Sequence, residues 1–562
     1  MTGDDRLEPY YFHEREFDSL DELREWFEWE VPDQFNVAEY ICDRWARERP
    51  DRPAIHVKEP DGDVSTYSFA ELQALANRVA NFLAAEGVER GDRIAVSGTQ
   101  CVETLAVNVA AYKLGAVAVP LSVLLGTDGL SYRLHDCEAS AFVVADAAVD
   151  ALRDVRDDVD SLDLVVTLGD FDRDGEVAFE DAVDGHSAEF ETVETDAEEP
   201  AFMIYTSGTT GDPKGVVHPH RHVLGELPQY LSFAHHDIDE GEVTRVISEW
   251  SWIMSLPGLV TPALFYGVGV LACPSDGFDP EREFELVDEF GVTHLNLPPT
   301  AVRMMMQVDD PTERWDLSSL RSLITGGESA GTNIIQWVED TFENAAFIEG
   351  YGTTEMGGVI CDDPAMGYDH RLGYFGVPSV GHEFAVLDRE TGEELEEPEQ
   401  IGELAIKYGD DPALFTEYLN KPEATEDAIV DGWYRSGDLV SVDEDGYFRF
   451  HARDDDLIVS SGYRISPVEI EDALEGHPGV RTAGVVGVPH DTRGEIPKAF
   501  VVLADGYEGS DDLKSDLQSY VKENLAKYEY PRELAFVQSL PTTTTGKVKR
   551  KSLREREGVA DE

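Results

Sequence analysis

Basic residues are scarce in this chain. Of 562 residues, 44 are Lys or Arg against 115 Asp or Glu, giving a net charge of −71 with histidine neutral. Any contact with nucleic-acid phosphate or an anionic membrane would be made against a repulsive field, which excludes partners of both kinds. The acids are spread along the whole chain and form no tail. That is the pattern of a solvated coat suited to concentrated salt, where screening removes the self-repulsion; a specific cationic partner is the alternative. Cysteine is sparse too. Cys42, Cys101, Cys137, Cys273 and Cys361 are odd in number, scattered and without a CxxC spacing, so neither a disulfide framework nor a zinc signature is present. No apolar run reaches the roughly 18 residues of a membrane span. The opening stretch MTGDDRLEPYYFHERE lacks the basic-then-apolar order of a signal peptide. A reducing cytoplasm is the expected setting.

The length calls for two or more domains. Up to about residue 450, helical and strand patterns alternate. In YSFAELQALANRVANFLAAEGV, Leu72, Leu75, Ala76, Val79 and Leu83 fall at helical spacing, Ser68 and Glu71 read as a capping box, and Gly87 reads as a stop. Short apolar runs at 93–98, 115–120, 141–146 and 164–168 read as buried strands, with a helix over 102–114 between the first two. The expected fold class is α/β: a large N-terminal domain, 1–454, of parallel-type sheets covered by helices. From 455 to 562 the pattern becomes a small, mobile α+β domain. There VRTAGVVGVP, KAFVVLA and ELAFVQSLP read as strands, and SPVEIEDALEGHP and SDDLKSDLQSYVKENLAKY as helices.

The strand AFMIY (201–205) runs into YTSGTTGDPKG, Tyr205 to Gly215. Its glycines allow backbone N–H groups to approach an anion, the hydroxyls of Thr206, Ser207, Thr209 and Thr210 add donors, and Lys214 adds charge. It is not a Walker loop, because Lys214 follows Gly-Asp-Pro and no Ser or Thr follows it. The whole string resembles the phosphate loop of the AMP-forming acyl-CoA synthetases, a branch of the adenylate-forming ligases. Four further stretches resemble that family's motifs in order: EGYGTTE (349–355), WYRSGD (433–438), ARDDDLIVSSGYRISPVEIE (452–471) and LPTTTTGKVKR (540–550). The resemblance covers nearly the whole chain and, within the family, is closest to the medium-chain acyl-CoA synthetases.

The resemblance implies ATP, Mg²⁺ and coenzyme A as the small-molecule partners of a carboxylic acid. It puts Thr206, Ser207, Gly208, Thr209, Thr210, Gly211 and Lys214 on the β and γ phosphates. Glu349, Gly350, Tyr351, Gly352, Thr353 and Thr354 fall in the nucleotide motif, Tyr351 against adenine, and Glu355 is its metal ligand. Asp438 and Arg453 fall on the ribose, Arg464 near phosphate. Lys547, with Thr354 and Glu355 a catalytic residue, bridges the carboxylate and the α-phosphate. Asp455 is the hinge about which the small domain turns. Ser461, Gly462, Tyr463, Arg493, Lys522 and Tyr530 fall on the coenzyme A path. Acetate-specific relatives carry tryptophan at the position of Gly352, so glycine implies a pocket for a longer or aromatic acid, with Trp252, Ile253, Gly326, Gly327 and Met356 as walls; for Trp252 a plain core role is equally open.

Three departures stand out: Ala452 where the family has glycine, Val459 where it has lysine, and Leu124 where relatives have a glutamine on the coenzyme A path. The alternatives to a medium-chain acid are an aryl or a short or branched-chain acid. A non-catalytic nucleotide or acyl-CoA binder, and an adenylating enzyme with another acceptor, are the competing classes. No cationic partner for an amino-acid substrate is evident. Monomer and homo-oligomer are both open.

Overall fold

The computed structural model of the chain describes residues 6–169, 173, 175–206, 213–274, 277–327, 330–453, 456–460, 463–490, 492–504, 506–525, 529–542 and 548–558; at 459, 463 and 464 it describes the backbone alone. Two large sheets, a small antiparallel sheet and a C-terminal α+β unit account for the strands described.

The helix read from the capping box runs Phe69–Ala85. The Ser68 side chain accepts from Glu71 N–H, and Glu71 accepts from Ser68 N–H. The runs read as strands become Arg93–Ser97, Val117–Pro120, Ala141–Ala145 and Leu164–Leu168, mutually parallel. With Val177–Ala178 at one edge and Pro200–Thr206, Lys214–Pro219 and Glu417–Tyr418 at the other, they form an eight-stranded sheet. The nine-stranded second sheet is parallel through Pro53–Lys58, Gly269–Ala272, Val243–Val246, His294–Asn296, Ser322–Gly326 and Ala346–Thr353. Antiparallel strands close it at both edges: Val64–Ser68 at one, Gly357–Cys361 and Val377–Pro378 at the other. One apolar cluster draws on both sheets and on helices Val102–Leu114 and His222–Phe233. Every residue of His222–Phe233 is buried, including His222, Glu226, Gln229 and Ser232. A helix covered on all faces has to find partners for its polar side chains inside the protein.

Pro200–Thr206 and Lys214–Pro219, on either side of the phosphate-type loop, pair antiparallel with Thr206 opposite Lys214. One expectation needs correction: parallel sheets do not extend to residue 450. Phe384–Leu387, Gly402–Lys407, Ile429–Val430, Trp433–Val442 and Phe448–Arg453 form a wholly antiparallel sheet. The reason is connection length: 431–432 and 443–447 are turns with positive φ at Asp431, Gly432 and Gly446, and a parallel crossover takes a dozen or more residues.

In the small domain, Val480–His490, Gly494–Leu503 and Glu533–Val537 pair beside Ile458–Ser460 and Tyr463–Ile465. Helices Pro467–Glu475 and Asp511–Asn524 share the main apolar cluster of this unit. The first of these helices meets the large domain along an acidic edge. Glu469 pairs with His451 at 3.3 Å and Arg449 at 3.5 Å, and Glu475 with Arg303 at 3.0 Å.

Few cations are available, and some are spent deep inside. Lys113 is 0% exposed and donates to both oxygens of Asp43, at 2.5 and 2.6 Å, and to Thr192 Oγ1 at 2.9 Å. Removing one partner of such a pair strands the other charge in the interior. Lys113→Met is therefore expected to lower unfolding free energy by about 3–5 kcal/mol. Denaturant titration in concentrated KCl checks this, with the double variant Lys113→Met/Asp43→Leu expected to recover most of the loss.

Candidate active site

Three segments far apart in sequence meet at the end of strand Ala346–Thr353. This strand pairs antiparallel with Gly357–Cys361, with a bulge between Tyr351 and Gly352, and Thr354, Glu355 and Met356 make the turn between them. A Cβ on Gly352 would lie 1.9 Å from Gly357 O, a contact no side chain makes, so the bulged hairpin itself demands glycine there. Gly357 and Gly358 let the return strand lie on the buried helix. Gly358 N–H donates to both oxygens of Glu226 at 3.2 Å, and Gln229 Nε2 donates to Ile360 O at 3.1 Å.

Beyond the hairpin, strand Trp433–Val442 brings in Asp438, directly opposite Arg453 in the sheet register. Tyr351 donates its hydroxyl hydrogen bond to Asp438 Oδ2, and Arg453 Nε lies 3.5 Å from Oδ1. The Tyr351 ring packs on Phe375, centroids 4.6 Å apart. Burial, then the Asp438 carboxylate, push the Tyr351 hydroxyl well above its ordinary range, so it remains a donor.

Glu355 Oε1 accepts from Tyr418 Oη at 2.7 Å, and Phe415 N–H donates to Glu355 O at 2.8 Å. Lys214 Nζ stands 4.5 Å from the centre of the same Tyr418 ring. Thr206, Lys214, Glu355, Tyr351, Asp438 and Arg453 are thus linked through contacts around one locality. Thr353 ends its strand and Thr354 opens the turn. Tyr418 and Phe375 lie outside every motif read in the sequence. Only the pairing of Glu417–Tyr418 with Lys214–Pro219 reveals Tyr418, because LFTEYLN carries no local signature.

Glu349 and Gly350 precede Tyr351. The Glu349 side chain is buried rather than open to the site, with Asp362 and His370 around it: Glu349 N–H donates to Asp362 Oδ2 at 2.8 Å, and His370 Nδ1 lies 2.8 Å from the same oxygen. Desolvation, then Asp362 and then Asp472 of the small domain, raise the Glu349 carboxyl well above its usual range.

Of the expected acyl walls, Gly326 lies opposite Gly350 in the sheet and Gly327 follows it with φ of +83°. Trp252 is half-buried, its backbone N–H donating to Glu249 O, and Ile253 packs at the margin of the main core. Met356 is fully buried among Val216, Val359, Leu414 and Phe415, which makes it part of a packed core and not an open wall. Leu124 is 65% exposed. Among the coenzyme A residues, Lys522 Nζ lies 3.8 Å over the Tyr530 ring and Arg532 donates to Tyr530 Oη at 2.8 Å. Arg493 occupies the turn before strand Gly494–Leu503. Ser207, Gly208, Thr209, Thr210, Gly211, Asp455, Ser461, Gly462 and Lys547 lie outside the described residues, as do the side chains of Tyr463 and Arg464.

Comparison with known proteins gives the family. The AMP-binding enzyme family matches residues 42–419, and the AMP-binding enzyme C-terminal domain matches 469–547. The chain is 34% identical over 538 residues to acyl-coenzyme A synthetase ACSM4, mitochondrial, of Rattus norvegicus, covering 94% of this chain and 91% of that one. It is 33% identical over 562 residues to acetyl-coenzyme A synthetase of Bacillus subtilis (strain 168), covering 99% and 96%. Among solved structures, the anthranilate CoA ligase AuaEII in complex with anthranoyl-AMP superposes with a TM-score of 0.85 at 26% identity, covering 94% of this chain and 98% of that one.

The buried Glu349 carboxyl carries a pH signature. At acid pH both folded and unfolded chains hold its proton. As pH rises past the ordinary carboxyl range the unfolded chain releases the proton while the folded chain keeps it, and stability falls by about 1.4 kcal/mol per unit of elevation. Glu349→Gln is therefore expected to be more stable than the parent at pH 7, with the gap closing toward pH 4.5, as read from denaturant midpoints at each pH.

Proposed function

The chain belongs to the AMP-binding enzyme family, and from that premise we propose that it is an acid–thiol ligase. It activates a carboxylic acid with ATP to an acyl adenylate, releasing pyrophosphate, and then transfers the acyl group to coenzyme A, releasing AMP. The observation that carries this reading is the meeting of the Lys214, Glu355 and Tyr351–Asp438–Arg453 segments at one hairpin end, in a chain that both parts of the family match.

The first step brings a carboxylate against a triphosphate, so the site has to offer cations and donors where charge develops. In this reading the loop from Thr206 through Ser207, Gly208, Thr209, Thr210 and Gly211 to Lys214 holds the β and γ phosphates, with Thr354 beside them. Asp438 and Arg453 hold the ribose, Tyr351 the adenine, and Arg464 lies near phosphate. Lys547, from the small domain, steadies the carboxylate and α-phosphate as they meet. Glu355 fits a magnesium ion: it is a partly exposed carboxylate on a turn, held through Oε1 by a neutral hydroxyl. Magnesium characteristically takes one or two carboxylates together with substrate phosphates. When bound, the ion supplies charge neutralisation along the phosphates.

The two domains, 1–454 and 455–562, turn about Asp455 between the half-reactions, withdrawing Lys547 and admitting the thiol past Ser461, Gly462 and Tyr463. Lys522, Tyr530 and Arg493 contact coenzyme A. Each buried methylene of the acid contributes roughly 0.8 kcal/mol, so the medium-chain reading, taken from the resemblance to the medium-chain acyl-CoA synthetases, favours longer acids over acetate; Gly352 is required by the hairpin itself and does not measure the pocket. An aromatic acid is the second reading, favoured by the structural match to an anthranilate CoA ligase. The acidic coat serves a cytoplasm rich in salt.

Acid-dependent exchange of labelled pyrophosphate into ATP, followed by thioester formation on adding coenzyme A, tests the reaction. Run in molar KCl over straight-chain acids from acetate to dodecanoate plus benzoate, it is expected to show exchange with a maximum beyond acetate. Exchange without thioester would point to another acceptor, and neither to a binding protein. Lys547→Ala is expected to slow adenylate formation on the order of a hundredfold while leaving thioester formation from supplied acyl adenylate far less affected. Equal losses in both steps would contradict the domain rotation.

A further inference from the structure

Tyr418 stands between the two charges to which the phosphate chemistry is assigned. It sits on the edge strand Glu417–Tyr418, opposite Val216, and the next residue, Leu419, donates its N–H to Gly215 O at 2.8 Å. That register carries the ring back along the strand to Lys214, whose ammonium stands 4.5 Å from the ring centre. The hydroxyl donates across to Glu355 Oε1 at 2.7 Å. Tyr418 is 5% exposed, so both contacts are made out of bulk water. Among the described residues no ion pair joins Lys214 to Glu355.

The segment behind Tyr418 is braced. Buried Arg221 donates through Nη1 to the carbonyls of Asp411 (3.2 Å), Pro412 (2.7 Å) and Leu414 (3.1 Å), and through Nε to Glu198 at 2.6 Å. His222 Nδ1 lies 2.7 Å from Ala413 O, and Thr416 N–H reaches Val217 O at 2.9 Å. So much anchoring of one stretch of irregular backbone sets the position of the tyrosine that follows it.

We propose that Tyr418 is a positioning residue that keeps Lys214 and Glu355 apart: its hydroxyl fixes the carboxylate, its ring face seats the ammonium, and each charge is thereby left for its own ion. This rests on the assignment of Lys214 to ATP phosphates and Glu355 to magnesium made above. A lysine and a carboxylate brought together in a partly buried site attract far more strongly than in bulk water. Direct pairing would cancel both groups. A tyrosine meets each partner without neutralising either, through a cation–π contact on one side and a neutral hydrogen bond on the other.

The test uses the full chain with Tyr418→Phe and Tyr418→Leu, each first checked for a cooperative thermal transition. Calorimetry in EDTA gives metal-free ATP and AMP affinities, and a Mg²⁺ titration of pyrophosphate exchange gives the metal requirement. Tyr418→Phe is expected to leave metal-free ATP binding unchanged and to raise the half-saturating Mg²⁺ about three- to tenfold. Tyr418→Leu is expected to weaken metal-free ATP binding by about three- to tenfold as well, with AMP affinity unaltered. Adding Glu355→Gln to Tyr418→Leu removes the charge that captures Lys214 and is expected to restore metal-free ATP binding. Equal weakening of ATP and AMP, or no recovery in the double variant, overturns the proposal. If Tyr418→Leu does not fold, an unchanged Mg²⁺ requirement in Tyr418→Phe overturns it alone. Failure of the ligase reading looks different: the parent chain then lacks acid-dependent exchange, and metal-free ATP binding with its recovery in the double variant decides the role of Tyr418.

Discussion

The site depends on how closely one hairpin can lie on one helix. Strand Gly357–Cys361 meets the wholly buried helix His222–Phe233 through backbone, because neither Gly357 nor Gly358 has a side chain to hold the two apart. The polar groups of the helix then become the hairpin's hydrogen-bond partners: Glu226 for Gly358 N–H, Gln229 for Ile360 O. The same helix and the arginine just before it grip residues 411–414, and from there the chain runs on to Tyr418. Thus one buried element fixes Glu355 from two directions. The strand before the turn delivers Tyr351 to Asp438, and the return strand and the 411–418 segment fix the carboxylate. A change inside that helix would be felt at Glu355 and Tyr418.

Charge is distributed with the same economy. In a chain with a net charge of −71, cations are placed where they have defined acidic or aromatic partners. Lys113 is enclosed with Asp43, and Arg245 with Glu283 at 2.9 Å. Lys214 rests on Tyr418, and Lys522 on Tyr530. The last two use an aromatic face where a carboxylate would be the commoner partner, which leaves their charge uncancelled by that contact.

Local signals were legible in the sequence, and long-range ones only through resemblance. The Ser68–Glu71 cap could be read because all its partners lie within four residues. Strands Arg93–Ser97 and Leu164–Leu168 could be read because burial on both faces leaves continuous apolar runs. The antiparallel sheet over 384–453 was misread because short amphipathic strands look alike whichever way they pair, and the turn residues at 431–432 and 446 had to be weighed against the crossover length. Tyr351, Asp438 and Arg453 stood out through their motifs. Tyr418 did not, being 63 residues from its partner Glu355. Met356 follows Glu355 in sequence, yet the turn directs it into the core. Neighbourhood in a motif is no guide to which way a side chain points.

The acidic edge of helix Pro467–Glu475 has a consequence for how the small domain stays in place. At its ends Glu469 and Glu475 are drawn to Arg449, His451 and Arg303, in partly exposed pairs worth at most about 1 kcal/mol each. Between them lies Asp472, whose charge adds to the upward shift of the Glu349 carboxyl. The edge is thus tied mainly at its two ends, through pairs open enough to solvent that added salt weakens them.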